Sequence, residues 1–518
     1  MLAPTLMIQG TASSVGKSLL VTALCRLFRQ DGIDVAPFKS QNMALNSAIT
    51  VDGFEIGRAQ AVQAEAAGLR PCVEMNPILL KPEGHARSQV VVCGRSIGSL
   101  SAAEYHEYKP ELAAIVADAL STLRRRHELV IIEGAGSPAE INLKDRDIVN
   151  MHVARIADAP VVLAGDIDRG GVFAAFVGTL ELLEPDERKR VAAFIINKFR
   201  GDASLLRPGL DFLERRTKKP VLGVIPFVED LRIADEDSLS LDGRNPRRRP
   251  APGQIDIAVV RLPHISNFDD FLPLEHDPRV SLRFVRDASD VTDADLVILP
   301  GSKTTVADLA WLRASDIAAA IERRARDGGL VLGICGGFQM LGRWIDDPQG
   351  TESSEPHVAG LGLLDISTLF QAPKTTAEVR ARVVTPCFLT ADMGTSELVA
   401  YEIHMGELVS GGDAAPFQLL SRNGEPTDIV DGAISERGNV VGTLLHGLFE
   451  NAALRASLLA HLDARRGAPE KPPEPVPSAS DEYDRLASTV RGSLDTELLY
   501  RLARVTPRPR SRAPLRAT

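Results

Sequence analysis

Gly10-Thr11-Ala12-Ser13-Ser14-Val15-Gly16-Lys17-Ser18 lies between an apolar run at residues 6–8 and a helically spaced apolar run at residues 19–28. A strand that breaks into small residues and re-enters the chain as a helix leaves backbone N–H groups pointing at one spot. The positive end of the helix dipole faces the same spot. Phosphate is the ligand such a loop suits: Lys17 neutralises the outer phosphate oxygens and Ser18 offers a hydroxyl to magnesium. The loop is a variant, because the usual spacing puts glycine at position 11, where this chain has Thr11 preceded by Gly10.

Working outward, further apolar runs at 129–132, 161–164 and 194–196 alternate with helix-length segments. That alternation predicts a parallel sheet covered on both faces by crossover helices. Ligands of such sheets gather at the carboxyl ends of the strands. Glu133, beside Gly134 and Gly136, is therefore a candidate magnesium ligand, and Asp166 or Asp168 a candidate for metal or substrate. Asn197 ends another run, where its paired donor and acceptor suit an adenine edge.

A second α/β pattern starts near residue 257 and continues through runs at 296–299 and 330–334. Between the two patterns, residues 242–253 read DGRNPRRRPAPG, too rich in breakers and arginine to form a core element. The predicted division is a first domain over 1–242, a linker over 243–253, a second domain over 254–463, and a terminal portion over 464–518. That last portion comprises a Pro-rich stretch, one amphipathic helix with Leu486, Val490, Leu494, Leu498 and Leu502 on its stripe, and a basic tail.

The run at 330–334 leads into Cys335-Gly336-Gly337-Phe338 and a helix. Small neighbours permit the tight turn that presents a nucleophile, and a helix N-terminus favours a thiolate. A thiolate nucleophile needs a base. His446, in Leu444-Leu445-His446-Gly447, is the candidate, with His404 as its rival. The turn Pro300-Gly301-Ser302-Lys303 ends a neighbouring strand, so N–H groups at Gly301 and Gly336 are candidates for an oxyanion hole.

Composition narrows the class. Acidic residues exceed basic ones, 69 to 59, for a formal charge of −10, which disfavours a nucleic-acid surface. Five unpaired-looking cysteines argue against a disulfide framework and point to a reducing cytoplasm. No basic leader opens the sequence and no apolar stretch reaches membrane-spanning length, so no membrane partner is expected.

Taken together, GTASSVGKS, PFKSQNMALNS (residues 37–47), GICGGFQMLG, YEIHMG and LLHGLF resemble the cobyric acid synthases, glutamine-dependent amidases of the vitamin B12 pathway, over nearly the whole chain. The first motif is similar to the ATP loop of dethiobiotin synthetases, and residues 37–47 resemble the segment distinctive of cobyric acid synthases. The resemblance implies a P-loop parallel-sheet ATP domain joined to a flavodoxin-like class I glutaminase domain. It implies Cys335 as nucleophile with His446, and Lys17, Ser18 and Glu133 at an ATP–Mg²⁺ site, with Gly10, Thr11 and Gly16 in the loop. Lys39, Gln41, Asn42 and Asn46 would line the corrinoid pocket. The implied reaction amidates the b, d, e and g carboxylates of adenosylcobyrinic acid a,c-diamide through acyl phosphates, so the expected partners are the corrinoid, L-glutamine and ATP, and a homodimer is compatible. Related triad glutaminases carry an acid two residues after the histidine. Here Leu448 stands there and Glu450 lies four residues on, leaving the third member unassigned and a Cys/His dyad open. The sister amidase that makes the a,c-diamide is the nearest alternative, separated by the segment from Lys39 to Ser47. A ParA-like nucleotide switch is another, disfavoured by Cys335 and His446.

Overall fold

The computed structural model describes residues 2–84, 87–234, 241, 250–371, 374–394, 396–467 and 477–508. Most of the expected linker, the Pro-rich stretch at 468–476 and the tail from 509 therefore lie outside the described residues.

The first sheet contains β1 (Thr5–Gly10), β2 (Val35–Phe38), β3 (Leu129–Glu133), β4 (Val161–Asp166), β5 (Val191–Phe199) and β6 (Val221–Pro226), all parallel, in the order β6-β5-β4-β1-β3-β2. Successive residues of β1 serve opposite cores: Leu6 and Ile8 join one apolar cluster, Met7 the other. Burial on both faces explains why its sequence reads as an unbroken apolar run. Three helices are used below: α1 (Lys17–Gln30), α2 (Arg58–Ala66) and α3 (Ala102–Arg126).

The second sheet contains β7 (Ile255–Val260), β8 (Val280–Val285), β9 (Leu296–Leu299) and β10 (Leu330–Ile334). Farther along come β11 (Thr375–Val383), β12 (Glu397–His404), β13 (Ala433–Ile434), β14 (Val440–Thr443) and β15 (Leu445–His446). Its order is β8-β7-β9-β10-β14-β13, with only β13 antiparallel. β11, β12 and β15 belong to a separate antiparallel sheet, which runs His446 back alongside Tyr401.

The reading of parallel strands alone is incomplete. Gln41–Met43, Ile78–Gly84, Arg87–Val92 and Arg95–Ser101 form a small, mostly antiparallel sheet beside the first domain. The single C-terminal helix is also corrected: there are two, α4 (Ala479–Ser493) and α5 (Thr496–Ala503). Leu494 bridges to Gly223, and the Asp495 side chain accepts from Leu498 N, starting a new helix. The break resets the helical phase, so Leu499 and Ala503 are buried rather than Leu498 and Leu502. Both helices close the α1 face of the first sheet, where Arg491 and Tyr500 hold Asp31 and Asp484 holds Arg26.

The two domains meet through buried polar contacts. Glu55 is paired with Lys81 and with Lys374 of the second domain, each at 2.7 Å. Burial opposes ionisation of Glu55, but the two lysines hold its carboxyl well below the usual range. Lys303 reaches Glu83 at 2.6 Å, and Ser47 N donates to Asn267 Oδ1 at 3.1 Å.

Candidate functional site

Register fixes the first constellation. Glu133 pairs with Ile8 across β3 and β1, and Asp166 pairs with Asn197 across β4 and β5, so these residues share the carboxyl edge from which the glycine loop departs. Gly16 caps α1 with φ 95°, and a Cβ there would stand 2.3 Å from Asn197 Nδ2. Glycine is the residue that tolerates both conditions. Lys17 Nζ lies over the loop, donating to Ala12 O and Gly136 O at 3.1 Å each.

Glu133 is almost fully buried and collects three donors. Ser18 Oγ and Lys39 Nζ each lie 2.8 Å from Oε1, and Gln63 Nε2 lies 2.5 Å from Oε2. A hydroxyl and a carboxylate at the mouth of a phosphate-type loop form the hard oxygen donor set that magnesium takes. Asp166 is placed differently. Its Oδ2 pairs with Lys198 at 2.9 Å, and Lys198 also donates to Ser14 O. Asn197 Nδ2 donates to Val15 O at 2.8 Å, bracing the loop.

A cavity of about 1000 Å³ opens beside the loop, and Lys17, Ser18, Lys39, Gln41 and Asn42 all line it. Asn42 is held by Gln60 and Gln41 by Tyr105. Asn46 does not line this cavity: it is fully buried, and its main-chain carbonyl accepts from Arg58 N.

The second constellation gathers at the carboxyl edge of the other sheet. Cys335 follows β10 with φ 51° and ψ −112°, a sparsely populated conformation for a residue with a Cβ, and leads directly into the short helix Gly336–Leu341. A Cβ on Gly337 would stand 2.1 Å from Leu299 O, and one on Gly336 would stand 2.9 Å from Ser302 N. The glycines therefore let the turn press against the end of β9. A Cβ on Gly301 would meet His446 Cε1 at 3.1 Å, placing that candidate beside the imidazole.

His446 is 1% exposed. Its Nδ1 sits 2.6 Å from Asp270 Oδ2, while Nε2 makes no ordinary hydrogen bond. Burial pushes the imidazole toward neutrality, but Asp270 and then Cys335 outweigh it and raise its pKa to about 10. The electrostatics favour the imidazolium form of His446. Asp270 also accepts from Gly447 N at 2.9 Å, and the Tyr401 ring stacks on the imidazole at 5.2 Å and 16°. The rival His404 is turned elsewhere: Nδ1 lies 3.2 Å from Gly406 O and Nε2 3.6 Å from Glu402.

Asp270 fills the third position of this constellation, for which the sequence offers no local assignment, and Tyr401 stacks on His446 with no local signal to mark it. Asp270 stands 176 positions before His446, in Ser266-Asn267-Phe268-Asp269-Asp270-Phe271. The available signal was two adjacent acids soon after a buried parallel strand, at an edge where the nucleophile was already expected.

Comparison with known proteins places these observations. Residues 6–241 match the model of the CobQ/CobB/MinD/ParA nucleotide binding domain, and residues 256–454 match that of the CobB/CobQ-like glutamine amidotransferase domain. A cobyric acid synthase of Sorangium cellulosum (strain So ce56) is 62% identical, over 97% of this chain and 99% of its own length. Those of Moorella thermoacetica (strain ATCC 39073 / JCM 9320) and Dehalococcoides mccartyi (strain CBDB1) are 53% and 50% identical, covering 91% and 96% of this chain and 91% and 98% of theirs. Among the described residues no helix is long and apolar enough to cross a membrane.

Proposed function

The chain belongs to the cobyric acid synthases, and from that premise we propose that its two sheet-edge sites together amidate the b, d, e and g carboxylates of adenosylcobyrinic acid a,c-diamide. ATP drives the reaction and glutamine supplies the nitrogen. The observation that carries this reading is the pairing, in one chain, of Cys335 and His446–Asp270 with the Lys17–Ser18–Glu133 cluster.

At the second site the Cys335 thiolate attacks the side-chain carbonyl of glutamine. N–H groups at the Gly301 and Gly336 turn receive the developing oxyanion. His446 gives its proton to the departing ammonia, and the thioester left on Cys335 is then hydrolysed by water, which yields a proton to the imidazole and releases glutamate. Asp270 holds the ring in one orientation throughout and stabilises its charge.

At the first site the loop from Gly10 to Gly16 would hold the phosphates, with Ser18 and Glu133 holding magnesium and Asp166 acting through Lys198. Magnesium, when bound, offsets phosphate charge as it develops. Lys17 is already suspended over the loop by two carbonyls, ready to exchange them for phosphate oxygens. Phosphorylating a carboxylate oxygen makes it a leaving group, and ammonia then displaces it to form the amide. Lys39, Gln41 and Asn42 would position the corrinoid carboxylates, with the fully buried Asn46 supporting the segment from outside the cavity lining. Ammonium is not a nucleophile, so transfer between facing sites preserves the product of the glutaminase. The contacts of Ser47 with Asn267 and of Arg58 with Asp269 support such facing within one chain, so this reading asks nothing of a second copy.

The direct test is to incubate the protein with Mg-ATP, glutamine and the a,c-diamide and to read product masses. Stepwise conversion of four carboxylates to amides is expected. Acceptance of cobyrinic acid instead, stopping at its a,c-diamide, would move the chain to the sister activity.

A further inference from the structure

Arg58 opens α2, where a cation faces the positive end of the helix dipole and gains nothing from it. Its side chain is nevertheless only 17% exposed, and its ion pair and its side-chain hydrogen bond both reach into the other domain. Nη2 stands 2.7 Å from Asp269 Oδ2 and 3.1 Å from the Tyr401 hydroxyl, and the guanidinium carbon lies 5.8 Å from the Tyr401 ring centre. Those two partners flank the histidine: Tyr401 stacks on His446, and Asp269 adjoins the Asp270 that orients it. The Tyr401 hydroxyl also lies 3.3 Å from Asp270 Oδ1 and 3.2 Å from Asn267 Nδ2.

Two neighbouring buried carboxylates repel each other, and burial raises Asp269, with Arg58 the chief opposing influence. By pairing with Asp269, Arg58 offsets the charge beside Asp270, whose Oδ2 faces the imidazole. Five residues along the same helix, Gln63 holds Glu133 at the phosphate loop. The rise between the two positions is about 7.5 Å of rigid helix. One short element therefore touches the candidate magnesium ligand at one end and the glutaminase acid–aromatic pair at the other.

We propose that Arg58 is a positioning residue through which the nucleotide-binding domain sets the glutaminase: it holds Tyr401 and Asp269 so that His446 and Asp270 stay aligned on Cys335, and α2 links that alignment to the state of Glu133. The proposal rests on the glutaminase and nucleotide readings given above. Exchange of Gln63 for another partner at Glu133 shifts the α2 frame, and Arg58 carries the shift to the Tyr401–His446 stack.

The test is steady-state glutamine hydrolysis by the full chain, with and without Mg-ATP and the corrinoid, in the wild type, Arg58→Met, Arg58→Lys and Tyr401→Phe. Arg58→Met is expected to lower kcat for glutamine about tenfold, leave KM within about twofold, and erase the stimulation by Mg-ATP. Its ammonia-driven synthesis should stay within about twofold of wild type, because the phosphate loop is untouched. Arg58→Lys, which keeps the charge but not the fork, should recover to within about threefold of wild type. Tyr401→Phe keeps the ring and removes the hydroxyl, and should lose the stimulation. Wild-type kcat with full stimulation in Arg58→Met overturns the proposal. So does an equal loss of glutamine- and ammonia-driven activity with a lowered melting temperature, which marks a mere interface tie. If Arg58→Met does not fold, Tyr401→Phe decides: lost stimulation supports the proposal and full stimulation overturns it. A wild-type protein that hydrolyses no glutamine sinks the glutaminase reading instead, and the two failures are distinguishable.

Discussion

Two strand–turn–helix junctions do the chemical work proposed here, and they are built in opposite ways. At the first, β1 ends in an open loop, glycine takes the positive φ at Gly16, and the functional cation Lys17 is held by backbone carbonyls that a ligand can replace. At the second, β10 ends in a turn closed by glycines, and the positive φ belongs to the functional residue itself, Cys335. A site that must receive a bulky triphosphate is made of permissive backbone. A site that must aim one sulfur stores strain at that sulfur and packs its surroundings tightly.

The largest effect that could break this contrast is at the nucleophile. Cys335→Ser should reduce glutamine-driven amidation by on the order of 10⁴-fold while ammonia-driven amidation persists, because only the thiol step is lost. Comparable loss with both nitrogen sources, measured as amide product per unit time, would contradict two separate sites.

Lys17→Ala should lower synthesis by on the order of 10³-fold with either nitrogen source. Without nucleotide present, labelling of Cys335 by a thiol-directed glutamine analogue should proceed at the wild-type rate, since Lys17 does not touch the elbow. Undiminished ammonia-driven turnover would remove the role given to Lys17.

Asp270→Asn sharpens the comparison, since it leaves the elbow intact and removes only its electrostatic support. Glutamine kcat/KM should fall by on the order of 10²-fold. With Asp270 present the imidazole pKa is raised to about 10, above the ordinary 6.5, so the charged form contributes stability that is present below about 6.5 and lost as pH rises through about 10. In the variant, NMR titration of His446 should show the charge lost at lower pH, toward the ordinary value. An unchanged titration would mean that Asp270 does not support the imidazolium.

How much of this was readable beforehand follows from the same contrast. The glycine loop and the cysteine turn are each written in nine or ten consecutive residues, so strand, breaker and helix signals sit together and both could be located from sequence. Asp270, Tyr401 and Arg58 carry no such local signature, because sheet order brings them together across 131 to 343 positions. The antiparallel strands around residues 78–101 escaped for another reason. They interleave buried apolar residues with buried polar ones such as Lys81 and Gln89, which disguises the alternation. Likewise Leu498 and Leu502 extend the stripe of α4 on paper, but the phase is reset at Asp495, a residue whose capping role depends on the bridge between Leu494 and Gly223.

The smallest expected effect on chemistry is at the seam between the two regions. Glu55→Gln leaves buried Lys81 and partly buried Lys374 without their carboxylate, and should destabilise the protein by about 3 kcal/mol while changing ammonia-driven synthesis only about twofold. Because the folded-state pKa of Glu55 is depressed, its stabilisation is present above the ordinary value of 4.5 and is lost progressively as pH falls below it. Thermal melting from pH 7 to about pH 2.5 should show a loss below pH 4.5 in the wild type that is smaller in Glu55→Gln, and parallel curves would contradict this account of the pairing.

The central claim is that one chain generates ammonia at Cys335 and consumes it beside Glu133 without free exchange. The measurement is isotope competition: wild-type protein turns over amide-¹⁵N glutamine, Mg-ATP and the a,c-diamide in the presence of excess unlabelled ammonium, and the product is read by mass spectrometry. The account predicts amides that carry the glutamine nitrogen nearly undiluted, whereas amides labelled only in proportion to the mixed ammonia pool would contradict it.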